Sequence, residues 1–268
     1  MHFVIYFFSG TGNTEWVARK LARRLHTFGH TCMTLSCESL CDEYLEPELS
    51  DIVGLLFPVH GCRPPKAFRD LIRRLPPVAN QPLFAITTSG HMPGDTAWKT
   101  VVPLKAIGYD PVVTDNVIMP NNFYCPPLAN VPVTIPRKAP KILERASRRI
   151  DEIAIRIQKA QRRLAGSGPL SRILGIKQRS LYRIMRSRLD QGMHVDGSCN
   201  QCSWCVDHCP VANIQLSRDR VKFLNQCIHC MRCYSFCPEN AIHLIQLCRK
   251  DKLQSRYNGP EQKPYPDQ

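Results

Sequence analysis

Eight of the fourteen cysteines in this 268-residue chain form two copies of one motif. The copies read CNQCSWCVDHCP at 199–210 and CIHCMRCYSFCP at 227–238, so both follow the pattern C-x-x-C-x-x-C-x-x-x-C-P. This spacing sends three thiolates to one iron–sulfur cluster and the fourth to a neighbouring cluster. Zinc also binds CxxC pairs, but a zinc site needs four ligands and gives no reason for a repeat that ends in Cys-Pro. The spacing therefore predicts two [4Fe–4S] clusters, with structural zinc or disulfides as the alternatives.

The two copies are expected to share ligands, because the last cysteine of each copy belongs to the cluster of the other. The predicted ligands are Cys199, Cys202, Cys205 and Cys237 for one cluster, and Cys227, Cys230, Cys233 and Cys209 for the other. This region resembles the bacterial-type two-cluster ferredoxins over about 50 residues, and the resemblance implies one-electron transfer at low potential. We read no export signal in the apolar N-terminus, so the thiols are expected in a reducing cytoplasm.

A second motif, SGTGNT at 9–14, follows the first apolar run. Its hydroxyl and amide side chains, and the N–H groups of a helix that follows, are suited to a phosphate. A dinucleotide fingerprint would need a third glycine where Glu15 stands, although Glu38 lies where a ribose-binding acid could be. The Walker pattern fails because no Gly-Lys-Ser/Thr follows. The motif therefore favours the phosphate of FMN, and the alternative is a glycine-rich turn with no ligand.

The first 120 residues alternate strand-like and helix-like patterns. Five apolar runs predict strands, and the segments between them carry apolar residues at helical spacing. Strands are predicted at 2–8, 31–37, 51–59, 82–90 and 111–119, and helices at 15–28, 64–75 and 96–107. Strands that alternate with helices favour a sheet covered on both faces. The predicted fold class is therefore α/β, with a five-stranded doubly wound parallel sheet.

Ligands of such sheets bind at the carboxyl ends of the strands, which here are 9–14, 57–65, 87–94 and 119–127. SGTGNT after the first strand of this pattern resembles flavodoxin. The whole chain resembles the prokaryotic flavodoxin–ferredoxin fusion family. The segments FPVHG after the third strand and MPNNF after the fifth are also similar to the corresponding segments of that family. The resemblance implies the strand order 2-1-3-4-5 and a bound FMN. The implied FMN-binding residues are Ser9, Gly10, Thr11, Gly12, Asn13, Thr14, Pro58, Val59, His60, Gly61, Thr88, Ser89, Gly90, His91, Asn121, Asn122 and Phe123.

The sequence departs from short-chain flavodoxins in the aromatic residues around the flavin ring. Those proteins stack the ring between a tryptophan and a tyrosine. The loops here offer Phe57 and His60, then His91 and Met92, and the aromatic face could also come from Phe123 or Tyr124. The six cysteines outside the motifs match no metal-binding spacing and are interpreted as buried or incidental thiols. They are Cys32, Cys37, Cys41, Cys62, Cys125 and Cys248, of which Cys62 is expected near the flavin.

Two basic helices are predicted after the sheet, at 142–164 and 170–189, separated by GSGP. Residues 137–190 hold sixteen Lys or Arg against four Asp or Glu, within a chain whose net charge is +14. The predicted domains are a flavodoxin-like FMN-binding domain at 1–165, a basic helical linker at 166–194, a small α+β two-cluster ferredoxin domain at 195–248, and a disordered tail at 249–268.

Three functions fit these observations. The favoured one is an electron-transfer protein that passes electrons between two [4Fe–4S] clusters, FMN and a partner redox protein of acidic character. The second is a flavin-dependent reductase of a small substrate, with the clusters as the electron inlet. The third is a nucleic-acid-binding or redox-sensing module that uses the basic helices; it ranks last because no nucleic-acid motif or row of stacking aromatics accompanies the charge. No run of apolar residues is long enough for membrane insertion, and the sequence does not indicate an oligomeric state.

Overall fold

The computed structural model describes residues 1–40, 45–122, 133–134, 136–217, 220–244 and 256–261. Its central sheet has six parallel strands. The strands are β1 (His2–Phe7), β2 (Thr31–Ser36), β3 (Ile52–Pro58), β4 (Gln81–Ser89), β5 (Tyr109–Ile118) and β6 (Arg163–Leu164). They are paired in the order β2-β1-β3-β4-β5-β6. The predicted α/β class and the order 2-1-3-4-5 are confirmed, and this is the flavodoxin-like order of doubly wound sheets.

Four helices cover the two faces of the sheet: α1 (Asn13–Thr27), α2 (Lys66–Arg73), α3 (Thr96–Val101) and α4 (Ala139–Gln158). Alternate side chains of β1 point to opposite faces, as the two-residue period of a strand requires. Phe3, Ile5 and Phe7 pack in the apolar cluster of α1 and α4, and Val4 and Tyr6 pack in the cluster of α2 and α3. This burial on both faces explains why the strands read as continuous apolar runs.

Two predicted helices end six residues before their sequence patterns do. The helix predicted at 96–107 is α-helical only to Val101 and continues as a 3₁₀ turn over Val102–Ile107, because Pro103 has no N–H to donate to the helical ladder. The helix predicted to reach Leu164 ends at Gln158. Leu164 lies instead in β6, the sixth strand, which the apolar spacing did not predict.

The part of the chain after β6 contains three α-helices and four short strands among its described residues. They are α5 (Pro169–Gln191), β7 (His194–Val195), α6 (Trp204–Asp207), β8 (Ile214–Ser217), β9 (Arg220–Phe223), α7 (Arg232–Phe236) and β10 (Ile242–His243). β7 pairs with β10 and β8 with β9, both antiparallel. Met185 and Leu189 of α5 pack against Met231 and Tyr234, so α5 and the cysteine region share one apolar cluster. None of the helices in the described residues has the length and apolar character to span a membrane.

Residues 256–261, within the predicted disordered tail, are packed against the rest of the chain. Tyr257 is buried, and its hydroxyl donates a hydrogen bond of 2.7 Å to Oδ1 of Asn13 in the glycine loop. Arg256 donates to the backbone carbonyl of Ile242 at 2.8 Å. The remainder of the predicted tail lies outside the described residues. The segment 256–261 therefore connects the second half of the chain to the first helix of the sheet domain.

Candidate functional site

The eight motif cysteines line two separate cavities, four in each. One cavity is lined by Cys199, Cys202, Cys205 and Cys237. The other is lined by Cys209, Cys227, Cys230 and Cys233. Each group therefore combines three cysteines of one motif copy with the last cysteine of the other, which is the crossed arrangement expected from the spacing.

The two motif copies have the same backbone conformation at matching positions, and this conformation directs backbone N–H groups toward the cysteine sulfur atoms. Three residues of the first copy with positive φ, Gln201, Ser203 and Ala212, have counterparts with positive φ twenty-eight positions later. These counterparts are His229, Met231 and Asn240. The N–H of Asn213 donates to Sγ of Cys209 at 3.2 Å, and the equivalent N–H of Ala241 donates to Sγ of Cys237 at 3.3 Å. Such N–H to sulfur bonds stabilise thiolate ligands and tune a cluster's potential.

The cysteine cavities suit a polynuclear iron–sulfur group. Burial, followed by the charge of the neighbouring cysteines, raises the pKa of Cys205 to about 11, and burial raises the pKa of Cys230 to about 11. Thiolates in such cavities therefore need the positive charge of iron to be stable. Among the described residues, no three His, Cys, Asp or Glu side chains are grouped so closely that they would hold a single metal ion.

The predicted glycine loop opens into a larger cavity of about 480 Å³. Of the predicted FMN-binding residues, this cavity brings together Ser9, Gly10, Thr11, Asn13, Thr14, Pro58, Val59, His60, Gly61, Thr88, Ser89, Gly90, His91, Asn121 and Asn122. Gly12 is not among the lining residues, and Phe123 lies outside the described residues, as does Tyr124. The volume falls within the range of small-molecule and cofactor sites.

The loop has the geometry of an anion site at the start of a helix. Gly12 adopts the left-handed conformation, with φ of 85°, and α1 begins at the next residue without a side-chain cap. The first N–H groups of a helix have no partner in the helical ladder, so they and the helix dipole favour an anion. Thr14 and Thr88 share a hydroxyl hydrogen bond of 2.7 Å, and Asn122 donates to Thr11 Oγ1 at 2.7 Å. These neutral groups fit a terminal phosphate.

One side of the cavity is closed by residues that sequence reasoning did not assign to it. We call them the cavity cover: Gln178, Leu181, Tyr182 and Leu189 of α5, together with His229, Cys230 and Met231 of the second motif. The region predicted as a linker is therefore part of the cavity wall. A signal was present in the sequence, because Gln178, Tyr182 and Leu189 recur at four and seven residues on one face of α5.

Tyr182 is the aromatic residue that the cover brings to the cavity. Its ring lies against Gly61, where a Cβ atom would come within 2.3 Å of the ring carbon Cγ. Gly61 has φ of 55° in the turn that joins His60 to Arg63, a conformation that favours glycine, and the close approach of Tyr182 leaves no room there for a Cβ atom. The hydroxyl of Tyr182 shares a hydrogen bond of 2.8 Å with Nδ1 of His229.

Two residues named as candidates have other roles. Phe57 is fully buried and packs against Phe68, with ring centroids 5.0 Å apart, so it belongs to the core and cannot face a flavin. Glu38 does not face a ribose, because both of its carboxylate oxygens accept hydrogen bonds from Arg232 at 2.7 Å. Burial of an arginine in the second motif requires a carboxylate partner, and that requirement was invisible in the local sequence.

His60 is held in the neutral form. Burial, together with the charge of nearby His229, lowers the pKa of His60 to about 4. Its Nδ1 lies 3.0 Å from the carbonyl oxygen of Ile228, so the neutral ring donates from Nδ1. His60 therefore acts near neutral pH as an uncharged hydrogen-bonding group between the sheet domain and the second motif.

Arg232 joins the glycine loop to the cysteine region from behind the cavity. It donates to the carbonyl oxygens of Ser9 at 2.9 Å and Gly10 at 3.3 Å, in addition to its pair with Glu38. Gly10 lies so close to the second motif that a Cβ atom there would come within 2.1 Å of the carbonyl oxygen of Cys230. The glycine loop and a predicted cluster ligand are therefore in direct contact.

Comparison with protein families matches residues 198–242 to the 4Fe-4S dicluster domain. This match includes all eight motif cysteines and supports an electron-transfer role for the chain. The chain thus combines a flavodoxin-like sheet domain with a 4Fe–4S dicluster domain. A comparison with curated proteins gives no match.

Among solved structures, the chain is similar to several flavodoxins. A flavodoxin from the domain Archaea has 13% identity and a TM-score of 0.40, covering 59% of this chain and 99% of its own. Oxidised flavodoxin 1 from Bacillus cereus has 14% identity and a TM-score of 0.42, covering 59% of this chain and 98% of its own. Two-electron reduced flavodoxin from Megasphaera elsdenii has 19% identity and a TM-score of 0.37, covering 56% of this chain and 99% of its own.

Proposed function

We propose that this chain is an electron-transfer protein in which two [4Fe–4S] clusters and one FMN exchange electrons with each other and with a partner redox protein. One observation carries the proposal: Cys230 lines both the glycine-loop cavity and the second cysteine cavity. A ligand in the first cavity would therefore lie beside a thiolate of the second. The reducing cytoplasm is the compartment we propose, because free thiols and low-potential clusters persist there.

The crossed cysteine groups are the proposed cluster ligands. Cys199, Cys202, Cys205 and Cys237 would hold the cluster farther from the glycine loop, and Cys209, Cys227, Cys230 and Cys233 would hold the nearer one. Clusters of this type exchange one electron each, whereas FMN, when bound, exchanges one or two. The chain would thereby connect one-electron and two-electron donors.

The glycine-loop cavity is the proposed FMN site. The helix start after Gly12 and the hydroxyls of Thr11 and Thr14 would hold the phosphate. Tyr182 of the cavity cover offers the aromatic face that the sheet loops lack among their described residues. Leu189 and Met231 would exclude water from the same side, because both line the cavity and both are buried. Exclusion of water strengthens the electrostatic interactions of a bound redox group.

The first test is to purify the protein without oxygen and to measure iron and flavin per chain. We expect about eight irons and about one FMN. About four irons, or a mononuclear iron spectrum, would overturn the two-cluster assignment. Iron at the expected level without flavin, even after FMN is added, would overturn the flavin part and leave the cysteine region as the only electron carrier.

The second test compares FMN affinity in Thr14→Val with that in Thr27→Val. Both threonines lie in α1, but Thr14 is buried at the cavity and Thr27 is exposed at the far end of the helix. Loss of a hydroxyl donor to a charged group costs about 1.5–3 kcal/mol, so Thr14→Val should weaken FMN binding by roughly tenfold or more. Equal affinity in the two variants would contradict the phosphate assignment. Iron content serves as the folding control.

A further inference from the structure

A second, smaller cavity of about 80 Å³ includes Tyr182 and His60 in its wall. Six cationic side chains line it, and no Asp or Glu of the described residues does so. They come from the turn after β3, from α2 and from α5: Arg63, Lys66, Arg69, Arg179, Arg183 and Arg186. This cavity is distinct from the glycine-loop cavity, although His60 and Tyr182 contribute to the walls of both.

Arg179 and Lys66 are paired with carboxylates that lie outside the cavity. Arg179 is buried and forms a two-pronged pair with Asp95, and Lys66 pairs with Asp70 at 2.7 Å. Arg63, Arg69 and Arg183 line the cavity, where the described part of the chain places no carboxylate. Burial and the neighbouring arginines, Arg63 first among them, lower the pKa of Arg69, as expected for cations gathered in one place.

From this convergence we infer that the cavity is a binding site for a single phosphate-class oxyanion. Guanidinium groups that converge from three segments match the oxygens of a phosphate, which they bind through paired charge-assisted hydrogen bonds. The cavity, with a volume of about 80 Å³, is small enough for one such group, whereas a protein partner would be met by a broad surface. Pro65 and Lys66, at the N-terminal end of α2, also line it and add the positive end of a helix dipole.

The position of the cavity gives the anion a consequence for the proposed electron transfer. Cys227 and Ile228 form part of its wall, so the anion would lie beside the second cysteine group. A negative charge there opposes the addition of an electron, and it would lower the reduction potential of the nearer cluster. This consequence rests on the proposed function, whereas the binding site does not.

The test measures binding of inorganic phosphate to the iron-loaded protein, with and without added FMN, by titration calorimetry at low ionic strength. Arg183→Gln/Arg186→Gln removes two cations from the cavity, and both side chains are exposed, so the fold should persist. Lys141→Gln/Arg145→Gln removes the same charge from the exposed side of α4. We expect the cavity variant to weaken phosphate binding by about tenfold or more. The matched control should change it by no more than about twofold.

Further titrations distinguish a phosphate ester from free phosphate, and they separate binding in this cavity from binding elsewhere on the protein. Glycerol phosphate tests whether the anion is an ester: tighter binding than inorganic phosphate assigns the site to a phosphate monoester, and weaker binding assigns it to the free anion. Absence of saturable binding at millimolar phosphate would overturn the inference. So would equal losses in the two double variants, or binding of a hexaglutamate peptide without binding of phosphate. A loss in Thr14→Val but not in the cavity variant would place phosphate in the glycine loop instead.

Discussion

Arg232 offers the most direct test of whether the two halves of the chain form one structural unit. Its side chain is 2% exposed. The guanidinium makes two hydrogen bonds to Glu38 and one each to the carbonyl oxygens of Ser9, Gly10 and His208. Of these acceptors, all except the carbonyl oxygen of His208 belong to the sheet domain. The residue therefore joins the cysteine region to the glycine loop through a nearly buried charge.

Replacement of Arg232 by methionine leaves the carboxylate of Glu38, which is 14% exposed, without its cation. Removal of one partner from a buried ion pair costs about 3–5 kcal/mol, because the remaining charge stays desolvated. In a chain of this length about 1 kcal/mol lowers the unfolding midpoint by roughly 2–4 °C. We therefore expect Arg232→Met to lower the midpoint by roughly 6–20 °C.

The assay is thermal unfolding of the iron-loaded protein without oxygen, at one scan rate, followed by circular dichroism. Arg220→Met, an exposed substitution in β9, is the matched control. The double variant Arg232→Met/Glu38→Leu removes the stranded carboxylate and should be more stable than Arg232→Met alone by at least about 1 kcal/mol. The reasoning is refuted if Arg232→Met shifts the midpoint no more than Arg220→Met, or if the double variant regains nothing.

Three further outcomes are expected. Gly10→Ala should destabilise the protein by about 1–3 kcal/mol in urea unfolding, because its Cβ would meet the carbonyl oxygen of Cys230, whereas Gly168→Ala enters open space and should change little. Cys209→Ser should halve the iron content and alter the spectrum of the cluster assigned to the second motif; a loss confined to the first motif would reject the crossed ligands. His60 has a folded pKa of about 4, below its ordinary 6.5. Its unfolded form therefore takes up a proton first, and stability is lost as pH falls from 6.5 toward 4. The unfolding free energy should drop by about 2 kcal/mol more between about pH 7 and pH 5 in the parent than in His60→Gln, and equal slopes would contradict the burial of this ring.

The predictions that held were those carried by short-range patterns. The cysteine spacing predicted which thiols share a cavity, because the motif determines the local turn and the repeat determines the exchange. The apolar runs predicted the strands, and the resemblance to flavodoxin implied their order. The loops at the strand ends meet because parallel strands end at the same edge. The prediction that Leu164 belongs to the helix was wrong, because a residue at helical spacing can also lie beyond the end of the helix and pair at the edge of a sheet.

The features that sequence reasoning missed depend on contacts between distant parts of the chain. Tyr182 stood as a single aromatic residue among arginines, and nothing near it in the sequence showed that it packs on Gly61. Glu38 had the right type and place for a ribose-binding acid, but its partner lies 194 residues away. Local periodicity cannot predict the pairing of Glu38 with Arg232, because the two charges are removed from water only when the two parts of the chain pack together.

The cavity cover has a consequence for the modularity of the chain. Residues 1–165 contain every strand of the central sheet, yet one wall of the 480 Å³ cavity comes from residues 178–231. The apolar cluster that contains Phe8 and Leu55 also includes Ile228, so a fragment cut at residue 165 would lose part of this cluster as well as one wall of the cavity. Such a fragment would lack the cavity cover and would leave Glu38 without its partner Arg232. If this sheet domain were fused to another iron–sulfur domain, that domain would therefore have to supply a helix equivalent to α5 and an aromatic residue equivalent to Tyr182.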